Sequence, residues 1–530
     1  MFARRKATLA AVLGTTALVP ALVGCGDDDG GGGPASAVPP DSPVYVEAAV
    51  RPEGDRAAAI EGLSQSITGV DDPGERIVTL IDQSFADEGV ELTYAEDIEP
   101  WLGESGALFV RSLEPAAFTG GMADAAAVVE VTDTDAAQSF LDDVAADESS
   151  GDLEERTYED VSYLADAEAD AAVGLVDELM VAGTEDSFKA SVDATSGESL
   201  ADDETFSEQL GDLDADNLAE LWLDLGTILD AATESAHADG TEIDAARAAL
   251  GPLLDEPLTA SLAATPETVT LETSAAGESG TEGDTEALGA LPSDAWLALA
   301  LGDAGTALSQ TLEGLGSLGS ELGDPSLDPE AIASAVEAET GLDLEDDILG
   351  WIGSAAFYLA GTSEAAFQGA AILGTDDPEA SAKVIDAGRE AVERQSGRDA
   401  DPPLLDGAED GFSATGPTGE ALEVVLADDE VVAALGGSKP AQDALEPAET
   451  LADSELFASA LEALGDDHEA SAYVALQDFL LVAEKGGQAD DFQYQLARPY
   501  LDALQYLIFG TASDGERELS RLVLGVGEGA

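Results

Sequence analysis

The sequence predicts an α+β protein made of two tandem homologous units, each a mainly antiparallel sheet with packed helices. Three observations predict it. Short apolar or period-2 runs alternate in irregular order with segments of helical spacing. Turn chemistry suited to hairpins stands between several of the strand-like runs. Segments of the first half recur about 250 residues later.

Taken in order, the first unit reads as strands at Val44 to Val50, Ala107 to Ser112, Ala126 to Val131, Ala172 to Val176 and Leu179 to Ala182. Further strands are predicted at Ala219 to Leu225, Leu258 to Ala263 and Thr268 to Thr273. Apolar residues at helical spacing predict helices at Asp55 to Gln65, Gly74 to Asp87, Asp135 to Ala145, Thr184 to Val192 and Gly226 to His237. Asp133-Thr134-Asp135 and Asp376-Asp377-Pro378-Glu379 look like N-caps, because a short carboxylate accepts first-turn N–H groups and proline is tolerated at the first helical position. Thr265-Pro266-Glu267-Thr268 and Ser513-Asp514-Gly515-Glu516 are hairpin turns. Strands joined by hairpins and mixed irregularly with helices argue for α+β over a doubly wound parallel sheet.

The repeat is clearest between "EGVELTYAEDIEPWLGESGALFV" (88–110) and "TGLDLEDDILGWIGSAAFYLA" (340–360). Asp97-Ile98, Trp101 and Gly103 match Asp347-Ile348, Trp351 and Gly353 with the same spacing. "DELMVAG" from Asp177 faces "DEVVAAL" from Asp429; "SLADDETF" ending at Phe206 faces "TLADSELF" ending at Phe457; Trp222 pairs with Tyr473. The units are placed at 41–274 and 291–530, with a Gly/Glu/Thr-rich linker at 275–290. Recurrence of Trp101 and Trp351 at one place in both halves favours core packing over an exposed sugar platform.

Residues 1–24 have the form of an export leader: Arg4-Arg5-Lys6, then an apolar run from Ala7 to Val23. Leu22-Val23-Gly24-Cys25 resembles the lipobox of bacterial lipoproteins. The resemblance implies a diacylglycerol thioether on Cys25, cleavage before it, and a membrane partner held through lipid. Cys25 is the only cysteine in the chain, so no thiol remains for disulfides, metal or catalysis. Residues 25–40 are Gly, Asp, Pro, Ala and Ser with almost nothing to bury, which predicts a flexible tether. The lipobox, the opening "PPDSPVYVEAAVRPEGD", the Trp-Leu/Ile-Gly segment some 50 residues on and the Ala/Gly/Asp-rich remainder resemble the bacterial exported proteins grouped as domain of unknown function 3352. That resemblance implies an envelope location and brings no activity.

Charge excludes more than it identifies. Asp and Glu number 112 against 19 Lys and Arg, a net charge of -93. Nucleic acid is excluded as a partner, since binding it requires clustered cations. The 45% hydrophobic content, arranged periodically, argues for a folded chain in spite of that charge. His237 and His468 are the two histidines, and neither has the N/S company that zinc requires or the partners of a Ser-His-Asp triad. Asp212-Leu213-Asp214-Ala215-Asp216 begins like a calcium loop, but Asn217 stands where glycine belongs and Leu223 where glutamate belongs. "GLGSLGSELG" (314–323) lacks the Lys-Ser/Thr of a phosphate loop. No cofactor or metal site is expected beyond weak divalent-cation binding by acidic surfaces.

The sequence therefore points to a non-enzymatic, lipid-anchored protein on the extracytoplasmic face of the cell membrane, with a binding or structural role and an unnamed protein partner. Its alternatives are a solute- or cation-binding lipoprotein using a cleft between the units, and a hydrolase using carboxylates alone. So many carboxylates also imply adaptation to salt, because at about 1 M the screening length falls to about 3 Å. A 41–530 fragment is accordingly expected to melt higher in about 2 M than in 0.1 M NaCl. Equal melting temperatures would refute salt adaptation, whereas a rise with millimolar calcium at low ionic strength would favour specific cation sites.

Overall fold

A computed structural model describes residues 33–527 apart from 89–91, 113–123, 147–152, 167–168, 212–216, 236–246, 248–249, 278–281, 310–328, 364–365, 417–418 and 514–516. The chain divides into two compact units, and for the described strands the division falls after Ala276.

The first unit contains β1 (Val44–Ala49), β2 (Leu102–Ser112), β3 (Asp124–Val131), β4 (Glu154–Tyr158), β5 (Val161–Asp166), β6 (Ala171–Val176), β7 (Leu179–Gly183), β8 (Asn217–Leu223), β9 (Leu258–Ala264) and β10 (Thr268–Ala276). Its helices are α1 (Gly54–Thr68), α2 (Pro73–Glu88), α3 (Thr134–Ala146), α4 (Glu185–Ser196), α5 (Glu204–Gly211) and α6 (Leu225–Ser235). The strands lie in the order β4-β5-β6-β7-β3-β2-β1-β8-β9-β10, and every pairing is antiparallel.

Both faces of this sheet are covered around β3, β6 and β7. Val128, Val176 and Val181 join one core with Tyr45, Phe109, Phe188 and Trp222. Val129, Val173 and Met180 of the same strands join another, with Trp101 and with Phe140 and Leu141 of α3. Burial on two faces explains why these strands read as short continuous apolar runs instead of clean alternations.

The second unit contains β11 (Ala295–Leu301), β12 (Ile352–Ala360), β13 (Gln368–Thr375), β14 (Asp410–Thr415), β15 (Ala421–Ala427), β16 (Glu430–Leu435), β17 (Glu469–Ala475), β18 (Leu504–Ser513) and β19 (Arg517–Val526). Its helices are α7 (Thr285–Ala290), α8 (Pro329–Thr340), α9 (Pro378–Ser396), α10 (Pro440–Leu445), α11 (Glu455–Leu464), α12 (Leu476–Lys485) and α13 (Phe492–Leu501). The strand order is β14-β15-β16-β13-β12-β11-β17-β18-β19, again antiparallel throughout. Reading β5 against β14 and so on outward, this is the strand order of the first unit without β4.

The expected strands and helices of the first unit are present among the described residues, with four differences, the first of which is α5, a helix that no expectation covered. The hairpin β4–β5 was missed, because "EERTY" and "VSYLAD" are short, and the first is charged. Of the tether expected over 25–40, residues 25–32 lie outside the described residues and the rest is built into the fold: Pro34–Ala37 form a helical turn, Ala37 and Val38 are fully buried, and Val38 O accepts the N–H of Leu200 at 2.8 Å. Proline preorganises that turn, and two small apolar residues suffice to fill the space beside α4. The linker expected over 275–290 is likewise structured at both ends. β10 runs to Ala276, and Asp284 caps α7 by accepting from Ala287 N at 2.9 Å, which places Leu288 wholly inside the second core.

The repeated Asp-Ile-x-x-Trp-x-Gly signature has a physical basis. Tyr94–Ile98 and Leu344–Leu349 are wide turns closed by i to i+5 bonds, Glu99 N to Tyr94 O and Gly350 N to Glu345 O, both 2.8 Å. The carboxylate of Asp97 accepts Thr93 N at 2.7 Å, and that of Asp347 accepts Asp343 N at 3.0 Å. The carbonyls of the same two aspartates accept the indole N–H of Trp101 and Trp351 at 2.7 and 3.1 Å. Trp101 is 3% exposed and Trp351 4%, so both are core residues. Gly103 is required by contact, since a Cβ there would lie 2.6 Å from the Cβ of Glu130, whereas a Cβ at Gly353 would meet only an ordinary contact at 3.7 Å.

Burial of these indoles yields a test. Trp101→Ala and Trp351→Ala are each expected to lower stability by about 3–5 kcal/mol, read as a shift of the urea midpoint. A loss below about 1 kcal/mol at either position would contradict its role in the core.

Candidate functional site

Cys25, Leu22, Val23 and Gly24 lie outside the described residues, as do His237, Asp212 to Asp216 and the glycine-rich 314–323 segment. Trp101, Gly103, Trp351 and Gly353 are described but belong to separate structural turns, and none is joined into a site. His468 is buried. Three other arrangements gather chemistry-bearing side chains, and none was singled out from the sequence.

The first surrounds Glu185, at the first turn of α4. Thr184 caps that helix, its hydroxyl accepting from Ser187 N at 3.2 Å. Glu185 receives Lys189 Nζ at 2.8 Å, Arg156 Nη1 at 2.6 Å and the hydroxyl of Tyr163 at 2.9 Å. The Lys189 ammonium above all, then Tyr163 and Arg156, hold its carboxyl down at about 2 against the ordinary value of 4.5, while burial opposes them. Tyr158 donates to Asp193 at 3.1 Å, and the Lys189 ammonium stands 6.0 Å from the centre of its ring. Two scarce cations thus face one carboxylate whose oxygens are both occupied. Glu185 is an ionised anchor for the β4–β5 hairpin near neutrality.

The second is a polar row across one face of the first sheet. Glu47 stands opposite Glu220, Glu220 opposite Ser261, and Ser261 opposite Glu272. Two residues along, on the same face, Tyr45, Trp222, Thr259 and Ser274 form a parallel row. The Tyr45 hydroxyl donates to Glu47, and Asn217 Nδ2 donates to Glu220 at 3.3 Å. Thr259, Ser261, Ser274 and Glu272 are all buried. In the second unit the row equivalent to Tyr45, Trp222, Thr259 and Ser274 is Ala298, Tyr473, Ile508 and Val523, so the core residues Ile508 and Val523 stand where the first unit has Thr259 and Ser274. Among the described residues, no group of three or more His, Cys, Asp or Glu side chains has the geometry to hold a metal ion.

The third is the α12–α13 hairpin. Between its helices a shallow concavity of about 280 Å³ is lined by Glu484, Tyr494, Gln495, Arg498, Pro499 and Asp502. Arg498 bridges Glu484, at 2.5 Å, and Asp502, and the Tyr494 hydroxyl donates to Glu484 at 3.0 Å. Arg498 and Tyr494 pull the Glu484 carboxyl below its ordinary range. On its outer side α13 leaves Phe492 72%, Leu496 59% and Tyr500 50% exposed. Their i, i+4, i+8 spacing places them on one helical face, a signal readable in "FQYQLARPYL". Elsewhere, Glu430 at the β15–β16 turn is pushed up by burial and by Asp428, far in sequence from Glu185 and in the other unit. No helix of the described residues is long and apolar enough to cross a membrane.

A depressed Glu185 carboxyl stabilises the fold in full above pH 4.5, and that contribution disappears as pH falls toward 2. Urea midpoints should therefore separate the parent from Glu185→Gln at pH 6 and converge near pH 2. A constant difference across that range would refute the ionic role.

Comparisons with known proteins add a family and little else. No curated protein matches the chain. Solved structures that it resembles include crystal forms I, III and IV of TP0453, at 8–10% identity and a TM-score of 0.24, aligned over 46–47% of this chain and 80% of that one. The family model described as "Protein of unknown function (DUF3352)" matches residues 9–507. Covering well over half of the sequence, that match places the chain in the DUF3352 family.

Proposed function

We propose that this chain is a lipid-anchored protein of the extracytoplasmic face of the cell membrane, with a binding or structural role and no catalytic one. The observation that carries the reading is Leu22-Val23-Gly24-Cys25, placed directly after a basic and then apolar leader and containing the chain's only cysteine. Two or three acyl chains on one residue meet the requirement that stable anchoring take more than one chain. The surface fits that role. Arg156 and Lys189 in the first unit and Arg498 in the second are each committed to carboxylates, and the exposed apolar face of α13 offers contact area without reactive groups.

The same reading treats the two units as products of tandem duplication. Their shared strand order, the matching Trp turns, and the paired capping boxes Ser199/Asp202 and Thr450/Asp453 support it. Divergence after duplication then accounts for Thr259 and Ser274 in the first unit where the second has Ile508 and Val523.

Lipidation is tested directly. The full chain expressed in a bacterial host with an alkyne fatty acid should take up label and partition into detergent. Cys25→Ser should lose the label, remain uncleaved and separate from the mature form on a gel. Equal labelling of both would sink the anchor.

A further inference from the structure

We propose that the exposed face of α13 lies in the polar–apolar boundary of a lipid bilayer and gives the second unit its own membrane contact. Phe492, Leu496 and Tyr500 project from one side of the helix, all at least half exposed, and Pro499 is exposed beside them. An aromatic at each end of an apolar stripe suits this boundary, where a ring body is buried and a hydroxyl stays wet.

Charge selects the occupant. The ten residues of α13 include no Asp or Glu, in a chain where those two types make up 112 of 530 residues. Its one cation, Arg498, is engaged by Glu484 and Asp502, and exposed Gln493 and Gln495 flank the apolar stripe. The face is therefore neutral on a strongly acidic body. A second copy would bring another net charge of -93 against it, which opposes association. A zwitterionic headgroup layer brings none.

Proximity supplies the rest, and here the inference rests on the anchoring of Cys25 proposed above. Seven residues lie between Cys25 and Gly33, where the described fold begins, and the eight Cα-to-Cα steps of an extended chain span at most about 28 Å. A protein held so close meets the bilayer at high effective concentration, which adds to the affinity that the helix has by itself. Acidic bodies gathered on one bilayer repel one another, and salt screens that repulsion, so salt should strengthen this contact. A basic interfacial helix would show the opposite dependence.

The test uses the chain from residue 26 onward, which lacks the leader's apolar run and the acceptor cysteine but none of the described fold. With phosphatidylcholine vesicles it should co-sediment more in about 1 M than in 0.1 M NaCl. The Phe492→Trp variant should gain fluorescence that brominated lipid quenches beyond the signal of the four native tryptophans. The double variant Leu496→Asp, Tyr500→Asp changes only exposed positions, so it should keep the parent melting temperature and lose at least tenfold in bound fraction. Failure of the parent to sediment, equal binding by the double variant, or lipid-free dimerisation that this variant abolishes would each overturn the inference. Loss of fatty-acid label is read separately on Cys25, so the anchor and the helix fail independently.

Discussion

A carboxylate accepting a backbone N–H is the interaction on which the rest of this fold depends. A chain with 112 acidic residues must place them where their charge is useful, and helix N-termini supply donors without partners. Asp133, Asp224, Asp284, Asp377 and Asp491 each close a first turn this way. Asp202 and Asp453 do so for the short turns before α5 and α11, and their carboxyls are held low by Ser199 and Thr450. Glu423 carries the device into the interior. Fully buried, it accepts Leu404 N and Leu405 N at 2.6 and 2.7 Å and Ala441 N at 3.2 Å, tying a long loop to the start of α10. Removing it would leave three inward-facing N–H groups without an acceptor.

Much of the fold was legible because these caps and the apolar runs follow local rules. Strand and helix placement in the first unit came from periodicity, and the Trp turns from repetition. The elements that escaped detection depend on tertiary context. β4 is a charged pentapeptide that becomes a strand by pairing with β5 and by the grip of Glu185 on Arg156. Residues 34–38 look like spacer until Leu200 and α4 supply a surface for Ala37 and Val38. α7 looked like linker because it contributes one buried leucine and depends on its cap.

The candidate sites were less legible for a related reason. Three glutamates aligned by strand register sit at 47, 220 and 272, and no local pattern connects positions on β1, β8 and β10. In a chain so acidic, each is indistinguishable from a solvated carboxylate until the register is known. The α13 face was the readable exception. Its signal was the absence of acidic residues, which stands out only against the composition of the whole chain.

The β4–β5 hairpin has one more consequence. Among the described residues β4 is the outermost strand of the first sheet and leaves one row of backbone donors and acceptors without a neighbouring strand. Such an edge is a template on which another copy could add a strand and begin a fibre. Glu154, Glu155 and Arg156 occupy three of its five positions, and an incoming copy would have to bring the same charges alongside. The turn that closes the hairpin, Glu159-Asp160 with both residues in the left-handed region, extends the repulsion to the tip. The ion cluster built on this edge thus also keeps neighbouring copies from polymerising through it.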